Sequence, residues 1–64
     1  DLKLDREKAA LLQAKAEEAN ARMQYERAYG LVERGVVSQN EYESSDTLYR
    51  TSRAELERAK KSVE

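Results

Sequence analysis

Leu31-Val-Glu-Arg-Gly-Val-Val-Ser-Gln-Asn-Glu-Tyr42 decides how this chain folds. It reads as the end of one helix, a tight reversal, and the start of another. Gly35 stands where a helix stop needs positive φ, and Leu31 and Val36 are placed to pack on each other across such a stop. Ser38-x-x-Glu41 is a capping-box pattern: the hydroxyl accepts from the backbone N–H three residues on, and the carboxylate reaches back to the N–H of the cap itself. Val37 and Tyr42 flank that box as a hydrophobic staple, which sets the angle at which the chain enters the second helix.

On both sides of the turn the chain is helix-compatible. There is no Pro, and the two Gly are Gly30 and Gly35. Good helix formers dominate the first arm, as in Ala14-Lys-Ala-Glu-Glu-Ala-Asn-Ala21. Ion pairs at i,i+4 are expected for Glu18–Arg22, Asp46–Arg50 and Glu57–Lys61, each with the acid N-terminal and each contributing a few tenths of a kcal/mol. The expected organisation is all-α. Helix one covers about residues 2–34, a tip covers residues 35–37, and helix two covers about residues 38–63.

The second arm carries a ladder with alternating three- and four-residue spacing: Tyr42, Ser45, Tyr49, Ser52, Leu56, Ala59 and Val63. The first arm carries its counterpart: Leu11, Ala14, Glu18, Ala21, Tyr25, Ala28 and Val32. Folding the chain at the turn pairs Val32 with Tyr42, Ala28 with Ser45, Tyr25 with Tyr49, Ala21 with Ser52, Ala14 with Ala59 and Leu11 with Val63. The residue numbers in each pair keep a nearly constant sum, as an antiparallel coiled-coil hairpin requires. Glu18 opposite Leu56 is the misfit, and Tyr25 and Tyr49 are placed to stack. At 1.5 Å per residue each arm is about 45 Å long. A second ladder on the first arm, Ala9, Leu12, Ala16, Ala19 and Met23, lies nearly opposite the first, so one seam cannot bury both. Small residues on such a face either favour helix or let another rod approach sideways.

The composition excludes several kinds of function. With 64 residues the chain is at most one small domain. It has no His and no Cys, which removes disulfides and the usual zinc and haem ligands, and no cofactor or metal is expected. A nucleophile–base pair would have to come from Ser and Lys in a rod without a pocket, so no catalytic residue is assigned and the chain is read as a non-enzyme. Charged residues are 39% of the chain yet leave a net charge of −1, interspersed in sign, which argues against a nucleic-acid partner. No apolar run approaches the roughly 20 residues of a membrane span. A start at Asp1 and an end at Glu64 within helical text suggest a piece of something larger.

Arg27, Leu31 and Ser38 gather at the tip, the first two one turn apart and the third across the reversal. The spacing R-x-x-x-L-x-x-x-x-x-x-S, within Tyr25-Glu-Arg-Ala-Tyr-Gly-Leu-Val-Glu-Arg-Gly-Val-Val-Ser-Gln-Asn-Glu-Tyr42, resembles the tip of the α-helical hairpin of periplasmic adaptors. These membrane fusion proteins serve tripartite efflux pumps and type I secretion systems. The resemblance implies a binding and assembly module in the periplasm of a Gram-negative bacterium. In it Arg27, Leu31 and Ser38 meet the periplasmic end of a TolC-type outer-membrane channel. Neighbouring adaptor protomers, commonly six, pack laterally, and an inner-membrane transporter is reached through domains outside this stretch. The other reading of the same residues is a coiled-coil hairpin that mediates homo-oligomerisation. Capping accounts for Ser38, and the helix stop accounts for Leu31. Arg27 has the weakest structural reason to be where it is.

Overall fold

The computed structural model describes residues 1–63, and among them there are two helices and no strand. Helix α1 spans Leu2–Glu33 and helix α2 spans Gln39–Val63. They fold back on each other into a rod of 51 × 13 × 13 Å. Among the described residues no helix is long and apolar enough to cross a membrane. At the start of α1 the Asp1 carboxylate accepts the Lys3 N–H at 3.1 Å, which satisfies one of the four donors a helix N-terminus leaves open.

The seam is slim. Ala14, Ala21 and Ala28 are buried on α1, one per heptad, with Leu11, Glu18, Tyr25 and Val32 half-buried between them. On α2, Ser52 and Leu56 are buried, and Tyr42, Ser45, Tyr49, Ala59 and Val63 are half-buried. Alanine at each buried point of α1 lets the helices close tightly, and the larger Tyr49 and Leu56 of α2 fill the space this leaves. Tyr25 and Tyr49 stack with ring centroids 5.3 Å apart and planes 22° apart, which pins the register of the two arms.

Two polar residues in the seam have local partners. The Ser52 hydroxyl donates to the Tyr49 carbonyl at 2.8 Å, so its burial strands no hydrogen-bonding group. The Glu18 side chain is 14% exposed and holds Arg22 at 3.6 Å. The carboxylate therefore stays at the wet edge of the seam, where an ion pair adds little to stability.

Asp46–Arg50 forms at 3.2 Å, as the spacing predicts. Glu57 pairs instead with Lys60, at 3.6 Å and i,i+3 spacing. Both lysines lie within reach on the helix surface, so a pair this exposed is decided by rotamers and not by sequence spacing. Apolar residues occupy two opposite faces of α1 and one face of α2. The second face of α1 stays in solvent, with Leu12 70% and Met23 60% exposed.

Candidate functional site

The tip is built by two complementary caps. Gly35 has φ +74°, while every described non-glycine residue keeps negative φ. The Gly35 N–H donates to the Val32 carbonyl at 3.2 Å, and the Val36 N–H donates to the Leu31 carbonyl at 2.9 Å. These two bonds are the Schellman stop, which satisfies carbonyls that the end of α1 leaves open. Two residues on, the Ser38 hydroxyl accepts the Glu41 N–H at 3.1 Å, and the Tyr42 N–H donates to the Ser38 carbonyl at 3.1 Å. Ser38 is thereby the N-cap of α2. The reciprocal half of the capping box, from the Glu41 carboxylate to the Ser38 N–H, is not formed among the described residues.

The apolar contact at the stop differs from the expected Leu31–Val36 pair. Val36 is 61% exposed, whereas Val37 is half-buried and shares a groove with Leu31. After the positive φ at Gly35, it is Val37 and not Val36 that lines the groove with Leu31.

That groove, of about 170 Å³, is lined by Gln24, Arg27, Ala28, Leu31, Val37, Glu41 and Ser45. Arg27 and Leu31 line it from α1, Glu41 lines it from α2, and Val37 lines it from the turn between them. Ser38 is not part of the lining; it sits exposed at the turn with its oxygen engaged in the cap. Arg27 is exposed and forms no ion pair among the described residues, whose three pairs use Arg22, Arg50 and Lys60. Its guanidinium, with five donors in a rigid fork, is free to bind an outside carboxylate or carbonyl.

All four tyrosines of the chain gather just below the tip. Tyr25 lies 5.7 Å from Tyr42 and 6.5 Å from Tyr29, and Tyr29 lies 6.2 Å from Tyr42, centroid to centroid. The Tyr25 and Tyr42 hydroxyls share a hydrogen bond of 3.2 Å. That bond, with partial burial and nearby negative charge, pushes the Tyr42 phenol up to about 12. Tyr29 is also raised, first by a hydrogen bond to Glu33 and then by that residue's charge. Arg53 stacks over Tyr49 at 5.7 Å from the ring centroid. Tyr29 is outside the three-and-four ladder, so ladder reasoning passes over it. The signal that finds it is its i,i+4 spacing from Tyr25. Glu41 likewise reads as a capping residue alone until the groove shows what faces its carboxylate.

The tip groove is open to water, and no group of three or more His, Cys, Asp or Glu is placed to hold a metal among the described residues.

Searches of curated proteins and of solved structures give no match. A family model described as the RND MFP, alpha-helical hairpin domain, matches residues 3–64, nearly the whole chain. With its two helices, Schellman stop and capped return, the chain belongs to the α-helical hairpin domain family of RND membrane fusion proteins.

Proposed function

We propose that this hairpin is the channel-docking arm of a periplasmic adaptor in an RND-type efflux assembly, with its tip engaging the periplasmic end of a TolC-type outer-membrane channel. Family membership supports the adaptor role, and it favours an efflux adaptor of the RND class over the type I secretion systems that the sequence pattern also fits. The observation that carries the docking role is Arg27. It lies exposed at the tip beside Leu31, in a groove, without an intramolecular ion pair among the described residues. A partner carboxylate or carbonyl would complete its hydrogen bonding. Leu31 supplies apolar contact in the same groove, and Ser38 shapes the turn that presents both.

In this reading the chain is part of a larger adaptor in the periplasm of a Gram-negative bacterium. Other domains of that adaptor reach the inner-membrane transporter. Neighbouring hairpins pack through the second face of α1, where Leu12 and Met23 stay exposed. That exposed face also supports the other reading, a hairpin whose role is self-association.

Arg27→Asp in the parent adaptor separates the two. Docking predicts loss of export and loss of the channel from pulldowns, with helicity retained. Self-association predicts concentration-dependent helicity that is indifferent to Arg27. Normal export by a helical Arg27→Asp variant refutes the docking role.

A further inference from the structure

Glu41 occupies the third helical position of α2. In a closed capping box its carboxylate would be tied to the Ser38 N–H. Here the box is half-made: the Glu41 backbone N–H is bound to the Ser38 hydroxyl at 3.1 Å, and its carboxylate has neither a hydrogen-bond nor an ion-pair partner among the described residues. That carboxylate lines the tip groove from the α2 side, and Arg27 lines it from the α1 side. Between them Ala28, Leu31 and Val37 give the groove an apolar floor. Opposite charges on facing walls usually pair when side chains can reach, yet no Arg27–Glu41 ion pair forms. The slot is left open and polarised across its width.

We infer that Glu41 is a second recognition residue of the tip, acting with Arg27 as a two-pole clamp on an aliphatic side chain of the partner. The inference rests on the channel-docking reading and adds the chemistry of the partner to it. The segment that fits offers a Leu-, Ile- or Val-sized knob to the floor. On the Arg27 side of the knob it carries an acceptor, a carboxylate or backbone carbonyl; on the Glu41 side it carries a donor, an amide, ammonium or guanidinium. A helical turn meets these requirements, because residues three and four apart flank a central side chain on one face. The arrangement also rejects: a segment with the charges in the reverse order meets like charge at both walls. The clamp thus fixes the direction in which the partner helix crosses the tip, which an apolar slot with one arginine does not.

The test uses the hairpin immobilised at high density and the purified outer-membrane channel in solution, with Glu41→Gln, Arg27→Gln and the exchange Arg27→Glu/Glu41→Arg. Gln is an accepted residue at this position of a capping box, and the Ser38 bond uses the backbone of residue 41, so Glu41→Gln keeps the turn. Circular dichroism verifies this for every variant. The expected result is a loss of roughly tenfold in affinity for each single substitution, the scale of one hydrogen bond to a charged group. The exchange, which preserves composition and net charge, is expected to remain as weak as either single variant, and Glu41→Gln to flatten the salt dependence. Wild-type affinity for Glu41→Gln, with binding lost in Arg27→Gln, overturns the clamp and leaves the docking reading standing. Restored affinity in the exchange variant also overturns it, since polarity across the slot then does not matter. If neither single substitution changes binding, or the unsubstituted hairpin does not bind, both the clamp and the docking reading fall.

Discussion

Gly30 and Gly35 offer the sharpest test of why the chain turns where it does. Both are open on the side where a Cβ would be added, with nothing within 4 Å of that position in either case. Gly→Ala at the two sites therefore differs in backbone conformation and not in packing. Gly30 is helical, and Gly35 has φ +74°. An L-residue in the left-handed region costs about 1–2 kcal/mol. Replacing glycine also stiffens the unfolded chain, which returns about 0.4–1 kcal/mol. The net expectation for Gly35→Ala is a destabilisation of up to about 1.6 kcal/mol, centred on about 0.8 kcal/mol. In the helix the same change removes glycine's penalty, so Gly30→Ala should stabilise by about 0.5–1 kcal/mol. For a chain of this size each kcal/mol moves the midpoint by about 4–8 °C. The two variants should thus melt on opposite sides of the parent, separated by several degrees. Helicity at 222 nm followed against temperature and urea reads both. Gly35→Asn, which tolerates the left-handed region, should lose less than Gly35→Ala. Shifts in the same direction for the two alanine variants would refute the reasoning, because they would mean that positive φ does not set the cost of the turn.

Leu56 is 8% exposed and is the largest buried apolar side chain. Leu56→Ala should cost about 2 kcal/mol, the low end for core leucines because the thin seam relaxes easily, as read by urea unfolding; an unchanged midpoint would show that the seam does not hold the arms together. Ser38→Ala should lose about 1 kcal/mol through the N-cap and Ser38→Asp should not, with no difference between the two counting against the cap. The Tyr42 phenol stands above its ordinary value, at about 12, so the folded state favours the protonated form. Its contribution is fully present below pH 10 and is lost as pH rises toward 12. Absorbance at 295 nm should therefore show Tyr42 titrating late, and Tyr25→Phe should bring that step down; four tyrosines ionising together near pH 10 would contradict the hydrogen-bonded pair.

Much of the architecture is written in local pattern. The turn is legible because its caps depend on residues within a few positions of one another: Gly35 for the left-handed step, and Ser38 for the first open donors of α2. The seam is legible because helical spacing brings residues three and four apart to one face, so Ala14, Ala21 and Ala28 on one arm and Ser52 and Leu56 on the other reveal themselves before any contact is known. The family pattern at Arg27, Leu31 and Ser38 is likewise visible as spacing.

What the chain text does not contain is which side chains share a wall once the arms close. Tyr29 joins the aromatic cluster although it lies outside the ladder, because it packs against Tyr42 of the other helix. Glu57 finds Lys60 rather than Lys61, a choice made by rotamers on a surface where both are in range. Leu31 shares the tip groove with Val37, while Val36 stays 61% exposed. The tip groove sets Arg27 against Glu41, and Ser38 stays outside it as the cap. Periodicity along each helix determined the two arms and the seam between them, and the capping residues Gly35 and Ser38 determined the turn. Which side chains off that seam share a wall, where residues far apart in sequence become neighbours, was decided by the packed hairpin.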